Sequence, residues 1–144
     1  MKKLSTLTAV LLVLFFCASA SAHFGMVIPS DNMVAPDDAR KLALALSFSH
    51  PFEGMGMTLV KPDSFVVARD GEKTDLTEGL VPAKVMGHPS WIAAYPVKRP
   101  GAHTFVMTPV PYWEPAEDCF IIHYTKTVVA AFGDDTGWDQ ELGL

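Results

Sequence analysis

Eleven prolines and ten glycines interrupt this 144-residue chain, and their spacing constrains the fold more than any other feature. A proline inside a helix removes a hydrogen bond and clashes with the preceding turn, so long helices are excluded through most of the sequence. The runs between these breaks are short, β-branched or aromatic, and recur about every ten residues, which indicates strands. The predicted strands are His23–Ile28, Lys41–Ser49, Ser64–Asp70, Leu80–Met86, Ser90–Val97, Ala102–Thr108 and Cys119–Phe132.

This pattern predicts an all-β chain folded as an immunoglobulin-like β-sandwich of about seven strands. The Asp-Gly pair at 70–71 is typical of a tight hairpin turn between two extended runs. The Leu-Ala alternation over residues 42–46 predicts a strand buried on both faces. One alternative stays open at Asp37–Leu46, where Pro36 and the aspartates after it favour the start of a short helix.

Residues 1–22 have the parts of a secretory signal peptide, namely two lysines, an apolar run over 9–16 and small residues up to Ala22. Cleavage before His23 leaves residues 23–144 as one β-sandwich domain and predicts a periplasmic or secreted protein. Two alternatives stay open: cleavage after Ala20, and lipid attachment at Cys17. No later run reaches the roughly 20 apolar residues of a spanning helix, so the mature chain is not expected to insert into a membrane.

The expected mature chain is acidic. Loss of Lys2 and Lys3 leaves nine basic against sixteen acidic side chains, a net charge of −7 with neutral histidines. A chain of this charge without a basic run is a poor nucleic-acid binder. Cys17 leaves with the signal peptide, so Cys119 has no partner for an internal disulfide, and stability is expected to come from an apolar core.

A histidine at the mature N-terminus is the feature that points most directly to a chemistry. Its α-amine and its imidazole can close a chelate ring on one transition-metal ion, and imidazole suits Zn, Cu, Fe and Ni. Both nitrogens can release their protons to a metal near neutral pH. His23 is therefore the first predicted metal ligand.

Four further side chains are candidate metal ligands. His50 and Glu53 lie in a donor-rich segment after a predicted strand, and loops of this kind often carry ligand sites. His123 is predicted within a strand, where it is either a hydrogen-bonded core residue or a neutral imidazole ready for a metal. His103 begins another strand and ranks after these. His88, in a Gly-His-Pro turn, is interpreted as structural.

Two other segments have open interpretations. Met55 and Met57 are either core residues or soft ligands that would favour Cu(I). The acidic and aromatic segment 109–118 either caps a site or covers apolar surface. The sequence contains no nucleophile elbow, phosphate-binding loop or paired-cysteine zinc motif, so no enzymatic activity is predicted.

Several segments resemble those of a family of periplasmic proteins. The matching segments are 22–26, 50–53, 55–57, 96–101, 111–118 and 123–126. On these residues the chain resembles the NikK-like components of nickel and cobalt uptake systems of the energy-coupling-factor (ECF) type, which are otherwise catalogued as a domain of unknown function. The resemblance implies a secreted β-rich protein that handles a divalent transition metal. Members of that family usually continue into a second, immunoglobulin-like domain, so this chain is expected to be either a form truncated at its C-terminus or a fragment of a longer reading frame.

Sequence and resemblance together predict a periplasmic binding protein, not an enzyme, that captures nickel or cobalt and delivers it to an ECF-type membrane permease. The predicted ligands are the His23 amine and imidazole with His50 and His123, followed by His103 and Glu53. One alternative is a copper carrier or copper-dependent oxidase that uses the same N-terminal histidine brace. A second is an adhesion or scaffold module whose histidines are structural.

Overall fold

The computed structural model describes residues 23–115 and 117–143, and the predicted signal peptide, residues 1–22, lies outside the described residues. The described residues contain twelve strands and one short 3-10 helix, Thr77–Gly79. The strands are β1 Phe24–Pro29, β2 Met33–Val34, β3 Lys41–His50, β4 Met55–Met57, β5 Ser64–Arg69, β6 Glu72–Asp75, β7 Val81–Val85, β8 His88–Pro96, β9 Gly101–Thr108, β10 Tyr112–Glu114, β11 Cys119–Ile121 and β12 Thr125–Ala131.

The first sheet is built around β3, its longest strand. The strand order is β1-β3-β8-β7, and β4 also pairs with β3. On one side, β1 runs antiparallel to β3 with Phe24 opposite Ser49. On the other side β3 pairs with β8 as far as Leu46, and its last residues pair with β4 instead, with His50 opposite Met55. Both the start of β1 and the end of β3 therefore lie at the same end of this sheet.

The second sheet has the order β2-β12-β9-β5-β6, with β9 at its centre. Its strands are antiparallel except for the short parallel pair of β2 and β12. Side chains of β12 also join the two sheets, because the Thr125 and Thr127 hydroxyls donate hydrogen bonds of 2.8 Å to the Gly25 and Val27 carbonyls of β1.

The core lies between the two sheets. Alternate residues of β3 point into it, as the period of a strand requires. Nearly all residues of β9 are buried, and Phe105 and Met107 belong to this core. Phe65 and Phe105 stack with their ring centroids 6.2 Å apart inside the second sheet's buried face. The largest fully buried apolar side chains are Phe65, Phe105, Leu42, Leu44, Leu46, Met107, Val34, Val97, Val106 and Val129.

The structure confirms the predicted all-β sandwich and places a strand in each of the seven predicted runs. The hairpin prediction is also confirmed, because Asp70 and Gly71 have φ values of 50° and 78° between β5 and β6. Three short strands, β2, β4 and β10, were not predicted from the sequence, and β6 was predicted only as the second extended run of the Asp-Gly hairpin. The helix considered for Asp37–Leu46 is wrong, because β3 begins at Lys41.

Two further predictions need correction. The first half of β3 is buried on one face only, because Ala43 is exposed while the leucines on either side of it are buried. The run Cys119–Phe132 is two strands instead of one, since residues 122–124 leave the strand conformation. The reason is a change of partner: β11 pairs with β10 in a separate two-stranded sheet, whereas β12 pairs with β9. His123 lies in the connection between them.

A search of residues 23–115 and 117–143 for a long apolar helix capable of crossing a membrane found none.

Candidate metal centre

Two histidines meet at the end of the first sheet. Phe24 pairs with Ser49 in the antiparallel ladder, so the residues next to them, His23 and His50, lie opposite each other. Their ring centroids are 4.1 Å apart and their planes are inclined by 56°. His50 is 8% exposed. The ladder between β1 and β3 thus brings together two imidazoles that are far apart in the sequence.

An aromatic wall flanks this pair. The ring of Phe48, two residues before His50 on the same face of β3, stacks 5.5 Å from the His23 ring. Tyr112, at the start of β10, places its ring 5.3 Å from His23 and 5.1 Å from Phe48. These contacts restrict the orientation of the His23 ring and limit the access of water to it.

A carboxylate lies against His23. Glu114 follows Tyr112 by two residues in β10, so both side chains point to the same side of that strand. The Glu114 Oε2 atom is 3.2 Å from the His23 Nδ1 atom, and the two side chains are 12% and 17% exposed. Of the two ring nitrogens, only Nδ1 is separated from the His23 α-amine by few enough bonds to form a small chelate ring with it. The carboxylate therefore adjoins the nitrogen that such a chelate uses.

His123 approaches the pair from the connection between β11 and β12. Its ring centroid is 5.5 Å from that of Phe48, on which His23 also stacks. Burial, and secondarily the neighbouring His23, lowers the pKa of His123 below its usual value, which favours the neutral ring. Its Nε2 atom is buried and has no hydrogen-bond partner among the described residues. An unpartnered buried nitrogen is costly, and a metal ion or ligand would satisfy it.

The other predicted ligands lie elsewhere. His103 points into the core from β9, where its Nε2–H donates to the Arg99 carbonyl oxygen (3.0 Å), so its Nδ1 accepts from the Tyr95 hydroxyl (3.1 Å). Because Tyr95 pairs with Leu42 near the start of β3, His103 is at the opposite end of the sandwich from His50. The structure places His103 in a hydrogen-bonded core position and does not bring it to His23.

Glu53 is exposed in the turn between β3 and β4. The carboxylate beside His23 is that of Glu114, which was predicted only as part of a segment that either caps a site or covers apolar surface. Met55 is 55% exposed, and Met57 packs against the core. His88 is exposed at the start of β8, next to the turn in which the sequence placed it.

A cleft of about 230 Å³ opens beside the histidines. Phe48, Tyr112 and His123 belong both to its wall and to the surroundings of His23. The rest of its lining is mainly apolar and consists of Gly25, Thr58, Leu59, Val60, Pro109, Val110, Pro111 and Trp113. The sequence signal for this wall was the aromatic and proline-rich run 109–113, but only the fold shows what the run faces.

Within residues 23–115 and 117–143, no three His, Cys, Asp or Glu side chains form a group that could hold a metal ion as they stand. The donors that lie together are two facing imidazoles, one carboxylate and a third imidazole on the shared aromatic wall. Imidazole and carboxylate are ligands for divalent first-row metals, and the imidazole nitrogens favour nickel, copper and zinc over magnesium or calcium. The α-amine of His23 is a backbone group and adds to this set when His23 is the first residue.

Comparison with curated proteins and comparison with solved structures gave no match. A family model does match, and it covers residues 20–144, which include every strand described above. The chain therefore belongs to the family described as "Domain of unknown function (DUF4198)".

Proposed function

We propose that this protein is a periplasmic binding protein for a divalent transition metal, nickel or cobalt, and that it delivers the ion to a membrane uptake permease of the ECF type. The metal is its cargo, and the protein performs no reaction on it. The ligands are the α-amine and Nδ1 of His23, the imidazole of His50 and the imidazole of His123, with Glu114 beside them. The proposal requires cleavage of the signal peptide immediately before His23.

The observation that carries this proposal is the contact between His23 and His50. Two imidazoles with centroids 4.1 Å apart are near enough to share one ion after small side-chain rotations. The amine of His23 is attached to the same residue as one of these rings, so its participation costs little additional ordering. Three nitrogens from two residues are then available at one place.

Glu114 and His123 have different roles in this scheme. The Glu114 carboxylate, 3.2 Å from Nδ1, either completes the ligand set or balances the charge of the bound ion. His123 has a buried Nε2 atom without a protein partner and a pKa lowered by burial, so it offers a lone pair without first losing a proton. The aromatic wall of Phe48 and Tyr112 excludes water and holds the rings in place.

Delivery requires that the ion leave the site. Displacement of the first residue of the chain would open such a ligand set, so ligands of a permease can replace those of the protein one at a time. The resemblance to nickel and cobalt uptake components supports both the choice of ion and the choice of recipient. It also supports localisation in the periplasm.

Copper is a second candidate cargo, and a specific observation favours it. An N-terminal amine and two imidazoles form an all-nitrogen set, and among divalent first-row metals such sets bind Cu(II) most tightly. Tyr112, with its ring 5.3 Å from that of His23, adds a phenol near the same position. Copper with peroxide-dependent turnover would support an oxidase with a histidine brace instead of a carrier.

The decisive experiment compares two purified proteins, one that begins at His23 and one with a single alanine ahead of His23. Calorimetric titration with Ni(II), Co(II) and Cu(II) should show one ion per chain in the first protein. We expect affinity at least about 10-fold lower in the second, because loss of a direct ligand costs no less than loss of an outer partner. Mass spectrometry of exported protein reports the cleavage site.

Two single substitutions test the side chains. His50→Gln should weaken metal binding by a similar factor, whereas His88→Gln removes an exposed imidazole outside the cluster and should leave affinity unchanged. Equal affinity with and without the extra alanine would remove the chelate from the mechanism. Absence of stoichiometric binding of any of the three ions would favour the adhesion or scaffold interpretation.

A further inference from the structure

A second candidate site lies at the other end of the sandwich. Tyr95 is opposite Leu42 in the ladder between β8 and β3, eight residues along β3 from His50, or about 26 Å at about 3.3 Å per residue. Here Arg69, Lys98 and Arg99 line a depression of about 230 Å³ together with Tyr95, Pro96 and His103. These six residues are called the basic cleft below.

The basic cleft concentrates positive charge in an acidic protein. It contains three of the nine lysines and arginines that follow residue 22, where sixteen acidic side chains are also found. Among the described residues, Arg69 forms an ion pair with Asp70, and no ion pair is found for Lys98 or Arg99. The pKa of Asp134 is lowered mainly by hydrogen bonds from Thr136 and to a smaller extent by Arg69, so this carboxylate is also near the cleft. Lys98 and Arg99 are exposed and add two further positive charges.

Arg69 provides an independent indication that a ligand binds here. Its side chain is 22% exposed and pairs through Nη2 with Asp70, but its Nε atom is buried and has no hydrogen-bond partner among the described residues. A charged N–H donor buried without an acceptor is destabilising, and oxyanions satisfy the guanidinium fork through two neighbouring N–H groups. The donor set is thus incomplete in the protein alone.

The loop that carries Lys98 and Arg99 is held in position. The buried His103 ring donates from Nε2 to the Arg99 carbonyl oxygen, 3.0 Å away, and this bond fixes the backbone between β8 and β9. Gly101 follows with φ of 101°, a conformation that favours glycine, and starts β9. Burial lowers the pKa of His103, so the neutral ring serves as a support while the arginines and lysine supply the charge.

We propose that the basic cleft is a binding site for a small soluble oxyanion, a phosphate or a carboxylate, held by Arg69, Lys98 and Arg99. Its volume is below the range of about 300–1,000 Å³ typical of drug-sized ligands, which suits a small anion. A second depression shares Arg69, Tyr95 and Arg99 and contains the carboxylates Asp70 and Glu72, so an anion that also bears a cationic group can extend into it. This site is separate from the proposed metal centre and does not depend on it.

The test is calorimetric titration of the purified protein with inorganic phosphate and, separately, with citrate, in a buffer of low ionic strength. We expect saturable binding of at least one of them with one anion per chain. Saturation by phosphate alone identifies a phosphate site, saturation by citrate alone a carboxylate site, and saturation by both a general oxyanion site.

Substitutions locate the binding. Arg99→Gln, on an exposed loop, should weaken the affinity about tenfold, because it removes a charged hydrogen-bond donor. Arg69→Lys keeps the charge but removes the buried Nε–H and should weaken it by a similar factor. Lys84→Gln makes the same charge change on β7 and should alter the affinity less than twofold.

Failure of both anions to saturate would overturn the proposal, as would an equal loss in the Lys84→Gln and Arg99→Gln variants. His50→Gln, which disables the proposed metal centre, should leave anion binding unchanged, so the two proposals can fail independently.

Discussion

At the scale of single residues, the hydrogen-bond partners of a histidine determine whether its ring nitrogens can bind a ligand. His103 is buried and His123 is partly buried, and burial lowers the pKa of both. His103 has a protein partner at each ring nitrogen, whereas His123 has a buried Nε2 atom without one in the described part of the chain. The first is a completed structural contact, and the second is free to bind a ligand.

The two lowered pKa values predict how stability depends on pH. The folded chain binds protons at His103 and His123 more weakly than the unfolded chain, whose histidines titrate near ~6.5. Stability therefore rises with pH through this range and falls as the pH is lowered. We expect the free energy of unfolding of the metal-free protein, measured with urea, to be lower at about pH 5.5 than at about pH 7.5.

The matched variants for this prediction are His123→Gln and His88→Gln. The first should reduce the dependence on pH, because one of the two perturbed groups is gone, while the second, at an exposed position, should retain it. A free energy of unfolding that is equal at both pH values would contradict the prediction.

Gly71 has a backbone conformation that favours glycine, so its replacement is expected to lower stability. Its φ is 78° in the turn between β5 and β6, and a Cβ atom built there meets no atom within 4 Å. Gly71→Ala should therefore destabilise the protein by about 1–2 kcal/mol through backbone strain alone. Gly79→Ala is the control, because Gly79 also has open space but no positive φ. Urea unfolding measures both, and equal effects would rule out the conformational explanation.

At the scale of elements, β9 holds the sandwich together. All its residues but the last are buried, and Phe105 contacts the rings of Phe65 and Tyr95 at centroid distances of 6.2 and 5.2 Å. Phe105→Ala should reduce the free energy of unfolding by about 3–5 kcal/mol, because it leaves a cavity between the sheets. Phe52→Ala should change it by less than about 0.5 kcal/mol, since Phe52 is 93% exposed. A similar effect of both substitutions in urea unfolding would show that this packing is wrong.

Strand positions were predictable from sequence because they depend on local patterns. Proline, glycine and the β-branched runs between them mark the ends of β1, β3, β5, β8 and β9 to within one or two residues. The break at residues 122–124 was not predictable. It depends on which partner each half of the run pairs with, and pairing is a property of the whole fold.

The candidate site shows the same division. Donor chemistry identified His23, His50 and His123 one at a time, but only the register of β1 against β3 shows that the first two face each other. Glu114 was missed as a donor, and Glu53 was preferred, because distance along the chain was the sole guide. His103 was predicted as a ligand because it is a histidine. Residue type alone does not show that both of its ring nitrogens form hydrogen bonds within the protein.

At the scale of the whole molecule, the proposed metal ligands connect all three sheets. His23 and His50 lie at the end of the first sheet, Glu114 belongs to the two-stranded sheet, and His123 to the segment that leads into β12 of the second. An ion bound by these residues, if the proposed function holds, resists separation of the sheets. Binding to the folded chain alone then adds about 2.7 kcal/mol of stability at 100 times the dissociation constant.

We accordingly expect Ni(II) to raise the melting temperature of the protein that begins at His23 by roughly 10 °C under those conditions. The measurement is thermal unfolding followed by circular dichroism, with and without the ion. The protein with an alanine ahead of His23 should shift much less. Equal shifts in both would mean that the stabilising ion is bound without the amine.

The hairpin of β10 and β11 pairs with no other strand in the part of the chain that the structure describes. Its loss therefore breaks none of the ladders of the two large sheets. Such a hairpin can open by local unfolding without disrupting those ladders, and its amide hydrogens should exchange with solvent before those of β3 or β9. Because Tyr112 and Glu114 belong to this hairpin, the same opening would uncover the His23 ring and, if the proposed function holds, would limit the rate at which the ion enters and leaves.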